Sequence, residues 1–526
     1  MRIKAKRALL CLLCTVCFPL AAGAEAASSS DSSLQSAFPA YTYDVWGNAV
    51  ACPDPYTAVR RVNGLSIGGT DFQNVNDVFA DSSGRVYAAV SGNSPESNRV
   101  LVFDAELNLL RSAEGCTQED GTVLPFQEPL GLFVTEGQEI YLADGKSKRI
   151  LHMDGEFRLI RVIEAPSSSS FQILDEDFYD RYSPAKLAVD ATGRIHVVAT
   201  NINEGIIEFN TNGKFVGFLA AGKVNYSALE LLWRRFSTKA QRERMTDFVP
   251  IEYNSIDLDE EGFLFVTLAN VDEDVVVAEI ESGNGTEQGA LARRLNLLGN
   301  DILRRNGYGP PVGDLEIPDS TETAYTGISK IVDVACGEDG KYSVIDGNRR
   351  HIFTYDSDGN LLYAFNGPDV SAGGLNIPSA IACRGEFLYV ADNGAKSLIL
   401  YRQTGFARTI DQAIRAEREG NTAQAGEHWE TVLAMDPNYD MAYTELGKLA
   451  YQQKDYTRAM DCFEKSSNQT WYSKAFKQYR AVLVDRWFAP AALAVAALAV
   501  VAFAIKGVLL LRKRKARKGR MNRDTG

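Results

Sequence analysis

The stretch Ala185-Lys186-Leu187-Ala188-Val189-Asp190-Ala191-Thr192-Gly193-Arg194-Ile195-His196-Val197 reads as an apolar strand, a tight turn carrying Asp and Gly, and a second alternating strand. That is the pattern of a β-hairpin. The same pattern recurs at residues 76–88, 129–144, 255–266, 332–344 and 379–390, so the 526-residue chain holds six copies. A third strand follows at 99–104, 149–154, 205–210 and 351–356, and a fourth at 109–115 and 361–367. Repeated four-stranded units describe the blades of a β-propeller. The sixth copy lacks a clear fourth strand, whereas Ala58-Val59-Arg60-Arg61-Val62-Asn63-Gly64 is a strand with no blade of its own. Pairing the two closes the ring and hides two sheet edges.

The shared theme, a Val or Ile strand, Asp, Gly and then an aromatic before Val-Ala-Asp, resembles the NHL-repeat family of six-bladed propellers over about residues 56 to 401. The resemblance implies a fold and leaves the activity open, because propellers host unrelated functions. Six-bladed lactonases of the gluconolactonase kind are similar in fold and hold a divalent ion in the channel. Here Asn74 to Asp77 stand where their first-blade Glu would be.

Beyond residue 405 the strands end and a helical pattern begins. Ala413, Ala425 and Trp429 recur after 34 residues as Gly447, Ala459 and Phe463, and Gly420-Asn421 and Lys454-Asp455 mark turns. This spacing resembles two tetratricopeptide (TPR) repeats over residues 406–470, which implies protein or peptide binding, or a spacer.

The two ends of the chain read as membrane signals. Residues 1–24 carry Arg2, Lys4, Lys6 and Arg7, an apolar run and a small-residue site, the pattern of a secretory signal peptide. Residues 25–55 read as a linker and 471–487 as a connecting helix. Residues 488–511 are apolar save Lys506, about 36 Å as a helix, enough to span a bilayer. The basic tail 512–526 is expected in the cytoplasm and the bulk of the chain outside, at a cell membrane. The net charge of −13 therefore hides ends of +4 and +8 and leaves −25 between them. A surface so acidic excludes nucleic-acid binding.

Five cysteines lie past the signal peptide, and Cys52 with Cys116 is the expected bridge. G-x-S-x-G, H-E-x-x-H and phosphate-loop motifs are all missing from the sequence. His152 and His196 fall within strands, where packing roles are commoner than catalysis. Binding residues are expected on the loops after each second strand: Asp144, Asn201, Asp346, Arg349 and Asp392. Together they could hold calcium or a glycan, although Asp and Asn in such turns more often bond their own backbone. Within the insert 220–254, Trp233, Arg234 and Arg235 lie on an amphipathic helical pattern that suits docking to a partner or to anionic headgroups. The functional expectation is a membrane-tethered extracytoplasmic binding or scaffold protein, without catalysis, whose partner is a membrane-associated protein, such as part of a transport assembly, or a glycan. A metal-dependent lactonase is the enzymatic alternative.

Overall fold

The computed structural model describes residues 38–68, 73–92, 94–166, 178–220, 252–317, 327–368 and 373–521. The signal-peptide segment and Trp233, Arg234 and Arg235 lie outside the described residues.

Six antiparallel sheets form a six-bladed β-propeller. In blade 1 the strands run Asn74–Ala80, Val86–Ser91, Arg99–Phe103 and Leu109–Ala113 from the axis outward. Many of the turns between strands are set by one local device. In these an Asp or Asn side chain accepts the N–H groups two and four residues on, as Asp81 does from Ser83 (2.8 Å) and Arg85 (2.9 Å). Asp190 and Asp259 repeat it in blades 3 and 4. The glycine of each turn, Gly84, Gly193 or Gly262, takes a φ of 80–85° that a side chain would resist.

Ring closure follows the sequence expectation. The strand Tyr56–Asn63 pairs antiparallel with Ser397–Gln403 and supplies the fourth strand of blade 6. Blade 4 departs from the pattern. Among the described residues it has three strands, and the helix Glu273–Ser282, capped by Asp272, stands between the second and third of them. The linker reading of residues 25–55 also needs correction, because Tyr41–Tyr43 and Ala49–Ala51 form a hairpin on the outer edge of blade 5, with Tyr41 opposite Ala364. Covering an exposed strand edge is the physical reason for that pairing.

No disulfide joins Cys52 to Cys116. Both thiols are free, as are those of Cys336, Cys383 and Cys462. Cys116 is packed between blades 1 and 2, whereas Cys52 packs against the core shared by blades 5 and 6 and the helices.

Two helical hairpins follow, Gly405–Arg418 with Thr422–Met435 and Asp440–Gln452 with Tyr456–Lys465. Their turns match at the 34-residue offset: Gly420 and Lys454 both have positive φ, and Asn421 and Asp455 cap the helices that follow. A Cβ at Gly447 would come within 2.5 Å of the Phe463 ring, which is why a small residue stands there. The hairpins pack on blades 5 and 6 through Phe406, Ile410, Trp429 and Tyr439, and Tyr439 donates to the Leu362 carbonyl at 2.8 Å. The last helix, Gln469–Met521, is continuous for 53 residues, about 80 Å. Its first turns pack through Trp471, Tyr472 and Ala475 on Ala459 and Phe463. Further along it is long and apolar enough to cross a membrane.

Candidate functional site

All six innermost strands carry a register shift at the same place, between Val75 and Asp77, Pro129 and Gly131, Pro184 and Lys186, Tyr253 and Ser255, Ile331 and Asp333, and Pro378 and Ala380. A β-bulge frees one residue from pairing and re-aims its neighbour. The residues just past the bulges, Asp77, Gly131, Lys186, Ser255, Asp333 and Ala380, therefore form one equivalent ring about the axis. The structure joins the polar members of that ring.

Lys186 Nζ binds Asp77 Oδ1 and lies 3.3 Å from Asp333 Oδ2, while Ser255 Oγ donates to Asp333 Oδ1. The remaining lone pairs are used as well. Leu132 N–H donates to Asp77 Oδ2 at 2.9 Å, and Ile381 N–H to Asp333 Oδ2 at 2.7 Å. All three charged side chains are buried. Burial pushes the Asp77 carboxyl up to about 6, Lys186 pulls it down and Asp333 adds to the rise. Lys186 is itself held above the ordinary lysine value: burial acts against its charge, and the two carboxylates outweigh burial. Two positions past Ser255 on the first strand of blade 4, Asp257 accepts from Cys336 N–H (2.7 Å) and Leu258 N–H (2.8 Å), and burial pushes it up to about 7.

This donor set does not fit the calcium ion that a channel-held lactonase metal would require. An ammonium already stands against the two carboxylates, and every oxygen of both has a donor. A built-in lysine cation performs the charge neutralisation that a dication would otherwise supply.

Around this cluster lies an axial cavity of about 160 Å³ with mostly polar walls. It shares Phe79, Phe133 and Asp257 with a wide mouth of about 820 Å³ at the end of the propeller where first strands turn into second strands. Ten carboxylates line that mouth against two cations, Lys341 and Arg384. Arginines outside the rim balance part of the charge: Arg294 pairs with Asp259 and Glu261, and Arg415 with Glu338. Glu136 is exposed at the rim, and Glu139 faces His152 at 2.9 Å. Burial keeps His152 and His196 below the usual histidine value, hence neutral at pH 7. The helix Gly405–Arg418 contributes Asp411 to the wall, so the mouth belongs to the propeller and the first helical hairpin together.

The residues expected from the sequence are placed elsewhere. Asp144, Asp346 and Asp392 each end the second strand of their own blade, and their carboxylates accept backbone N–H groups of the segment entering that blade. Asp144 takes Gln127 (3.0 Å) and Glu128 (2.7 Å), Asp346 takes Lys330 (3.1 Å), and Asp392 takes Asn376 (2.7 Å) and Ile377 (2.9 Å). All three are fully buried. Arg349 is buried too. Its guanidinium reaches the Gly327 and Glu316 carbonyls, Ser329 and Asp314, which fastens the insert of blade 5. Asn201 is exposed, in a left-handed conformation, and its carbonyl accepts from Arg181. None of the five lines the axial cavity or the mouth. Sequence reasoning missed the ring residues, although Asp77, Lys186 and Asp333 hold the same position of the repeat, because the repeat does not show that a bulge turns that position toward the axis.

No protein-family model and no curated protein sequence matches the chain. Solved structures match it at the level of the propeller. A virginiamycin B lyase from Staphylococcus aureus, an inactive variant with quinupristin, is 13% identical with a TM-score of 0.36, covering 64% of this chain and 83% of that one. A Bacteroides thetaiotaomicron protein of unknown function is 11% identical with a TM-score of 0.36, covering 70% and 76%. The U3-55K structure is 10% identical with a TM-score of 0.38, covering 66% and 100%. At such identities the likeness concerns fold alone.

Proposed function

We propose that the chain is a membrane-tethered extracytoplasmic recognition protein whose propeller mouth receives a basic segment of a partner protein. The observation that carries this reading is the acid-lined cavity of about 820 Å³, walled jointly by the blades and the first helical hairpin. Electrostatic complementarity steers such encounters and selects against acidic competitors. The basic residues that follow the apolar segment of the last helix support a cytoplasmic tail, which leaves the propeller on the opposite side of the membrane. A long helix leading straight from the hairpins to the bilayer suits a partner in the same membrane, such as the membrane part of a transport assembly. The hairpins act in this reading as TPR-like supports that hold the mouth.

A photo-crosslinker placed at Glu136 of the full chain, in its native membrane, tests the reading. One dominant protein partner is expected, and Glu136→Lys with Glu260→Lys should abolish its capture. A crosslinker at Val216, exposed on the outer strand of blade 3, serves as the control. Equal capture from both positions, or capture indifferent to the charge reversals, would overturn the proposal.

A further inference from the structure

One position of the repeat breaks rank. Two residues before the second-strand partner of each ring residue stand Tyr87, Tyr141, His196, Phe265 and Tyr389 in blades 1, 2, 3, 4 and 6. In blade 5 the same register position is Ser343. Five blades put a ring on this row, and the sixth has only a hydroxymethyl group.

Across blade 5 the row continues from Ser343 to Thr354 and then Tyr363. Ser343 and Thr354 share a hydrogen bond of 2.9 Å between their hydroxyls. Facing them are Tyr56, Gln403 and Cys383 of blade 6, and Asp411 of the helix Gly405–Arg418 closes the side. All of these line the wide mouth, so the space is a branch of it, a slot between blades 5 and 6.

Two polar atoms in the slot are left without partners. Tyr363 is fully buried, and its hydroxyl, though close to that of Tyr56, makes no hydrogen bond of acceptable geometry. Asp411 Oδ1 is buried and unpaired, while Oδ2 takes Gln403 Nε2 at 2.6 Å and pairs with Lys341. An unsatisfied buried polar group costs about 1–3 kcal/mol, so such groups ordinarily have a partner. The pattern differs from the mouth at large. Lys341 and Asp411 cancel each other's charge inside the slot, and what remains on offer is one carboxylate oxygen, one phenol and two aliphatic hydroxyls.

We infer that this slot binds a neutral polyhydroxylated small molecule, a single sugar ring or an open-chain polyol. Its hydroxyls can exchange hydrogen bonds with Ser343 and Thr354, and turning the Asp411 and Tyr363 side chains toward it would satisfy both orphaned atoms without adding charge. The proposal rests on the mouth being a recognition surface and adds a second ligand class there. The slot lies against the helical hairpin, so its occupant would touch propeller and hairpin at once.

The test uses the full chain in lipid nanodiscs, titrated calorimetrically with glucose, galactose, N-acetylglucosamine and mannitol. At least one probe should bind at millimolar concentration or better. Ser343→Tyr, which restores the ring of the other blades, should weaken binding at least tenfold while the thermal midpoint holds or rises, and Tyr363→Phe should weaken it several-fold. Binding by none of the four probes, unchanged binding in Ser343→Tyr, or binding of putrescine in place of the neutral probes would overturn the inference. Partner capture from Glu136 in the same Ser343→Tyr protein separates the two proposals: captured partner without sugar binding refutes the slot alone, and sugar binding without a partner refutes the mouth reading alone.

Discussion

Lys186→Met removes the cation at the propeller axis and leaves two buried carboxylates with no countercharge. The wild-type pair at 3.3 Å is worth about 5 kcal/mol of Coulomb energy at an effective dielectric of ~20. After desolvation is counted, breaking a buried pair from one side costs about 3–5 kcal/mol. Taking ~2.1 cal/mol/K per residue for the unfolding entropy of a propeller of roughly 350 residues, this lowers the midpoint by about 4–7 °C. The loss must also depend on pH. Asp77 is pushed up to about 6 even with Lys186 beside it, and without that lysine it rises further. A carboxyl raised above its unfolded value binds a proton in the native state that the unfolded chain does not, so stability falls as pH rises through the folded value. The midpoint deficit of Lys186→Met against wild type is therefore expected to be full at pH 8 and markedly smaller at pH 5, and Asp77→Asn added to Lys186→Met should recover part of it at pH 8. Circular dichroism melts of the full chain at both pH values measure this. A variant that melts with wild type at pH 8, or shows equal deficits at pH 5 and 8, would refute the axial-cation account.

Two further outcomes follow from the same geometry. Burial pushes Asp257 up to about 7, so its protonated form stabilises the native state at low pH and that contribution is lost as pH rises through about 7; Asp257→Asn should melt higher than wild type at pH 8 and no higher at pH 5, and equal gains at both would count against it. Because Cys52 and Cys116 are both free, alkylation after unfolding without reductant should label each of them, and recovery of a disulfide-linked peptide pair by mass spectrometry would contradict the fold described.

Much of the architecture can be read from local pattern. The hairpin copies and the orphan strand at residue 58 sufficed for six blades and their closure, because period-two alternation and Asp/Gly turns are short-range signals. The helical hairpins were legible for the same reason, through Gly420 and Lys454 at their turns and Gly447 beneath Phe463. The hairpin 41–51 was not, since its partner strand lies more than 300 residues away. The residues singled out from the sequence do not line the axial cavity or the mouth. Asp144, Asp346 and Asp392 carry the residue types of a ligand shell, but each carboxylate accepts backbone N–H groups at one or both oxygens, which no spacing in sequence reveals. One signal for the slot was present from the start: the repeat's aromatic is replaced by Ser343 in the fifth copy alone.

The recurring bulge separates scaffold from chemistry. Strand pairing on either side of each bulge holds the ring together, while the residue just past it answers to the axis. The propeller thus carries six interchangeable addresses around one centre, here spelled Asp, Gly, Lys, Ser, Asp and Ala. Rewriting that word, for instance by exchanging the lysine and an aspartate between blades 1 and 3, changes what the centre can hold while leaving every hairpin turn and the closing strand untouched.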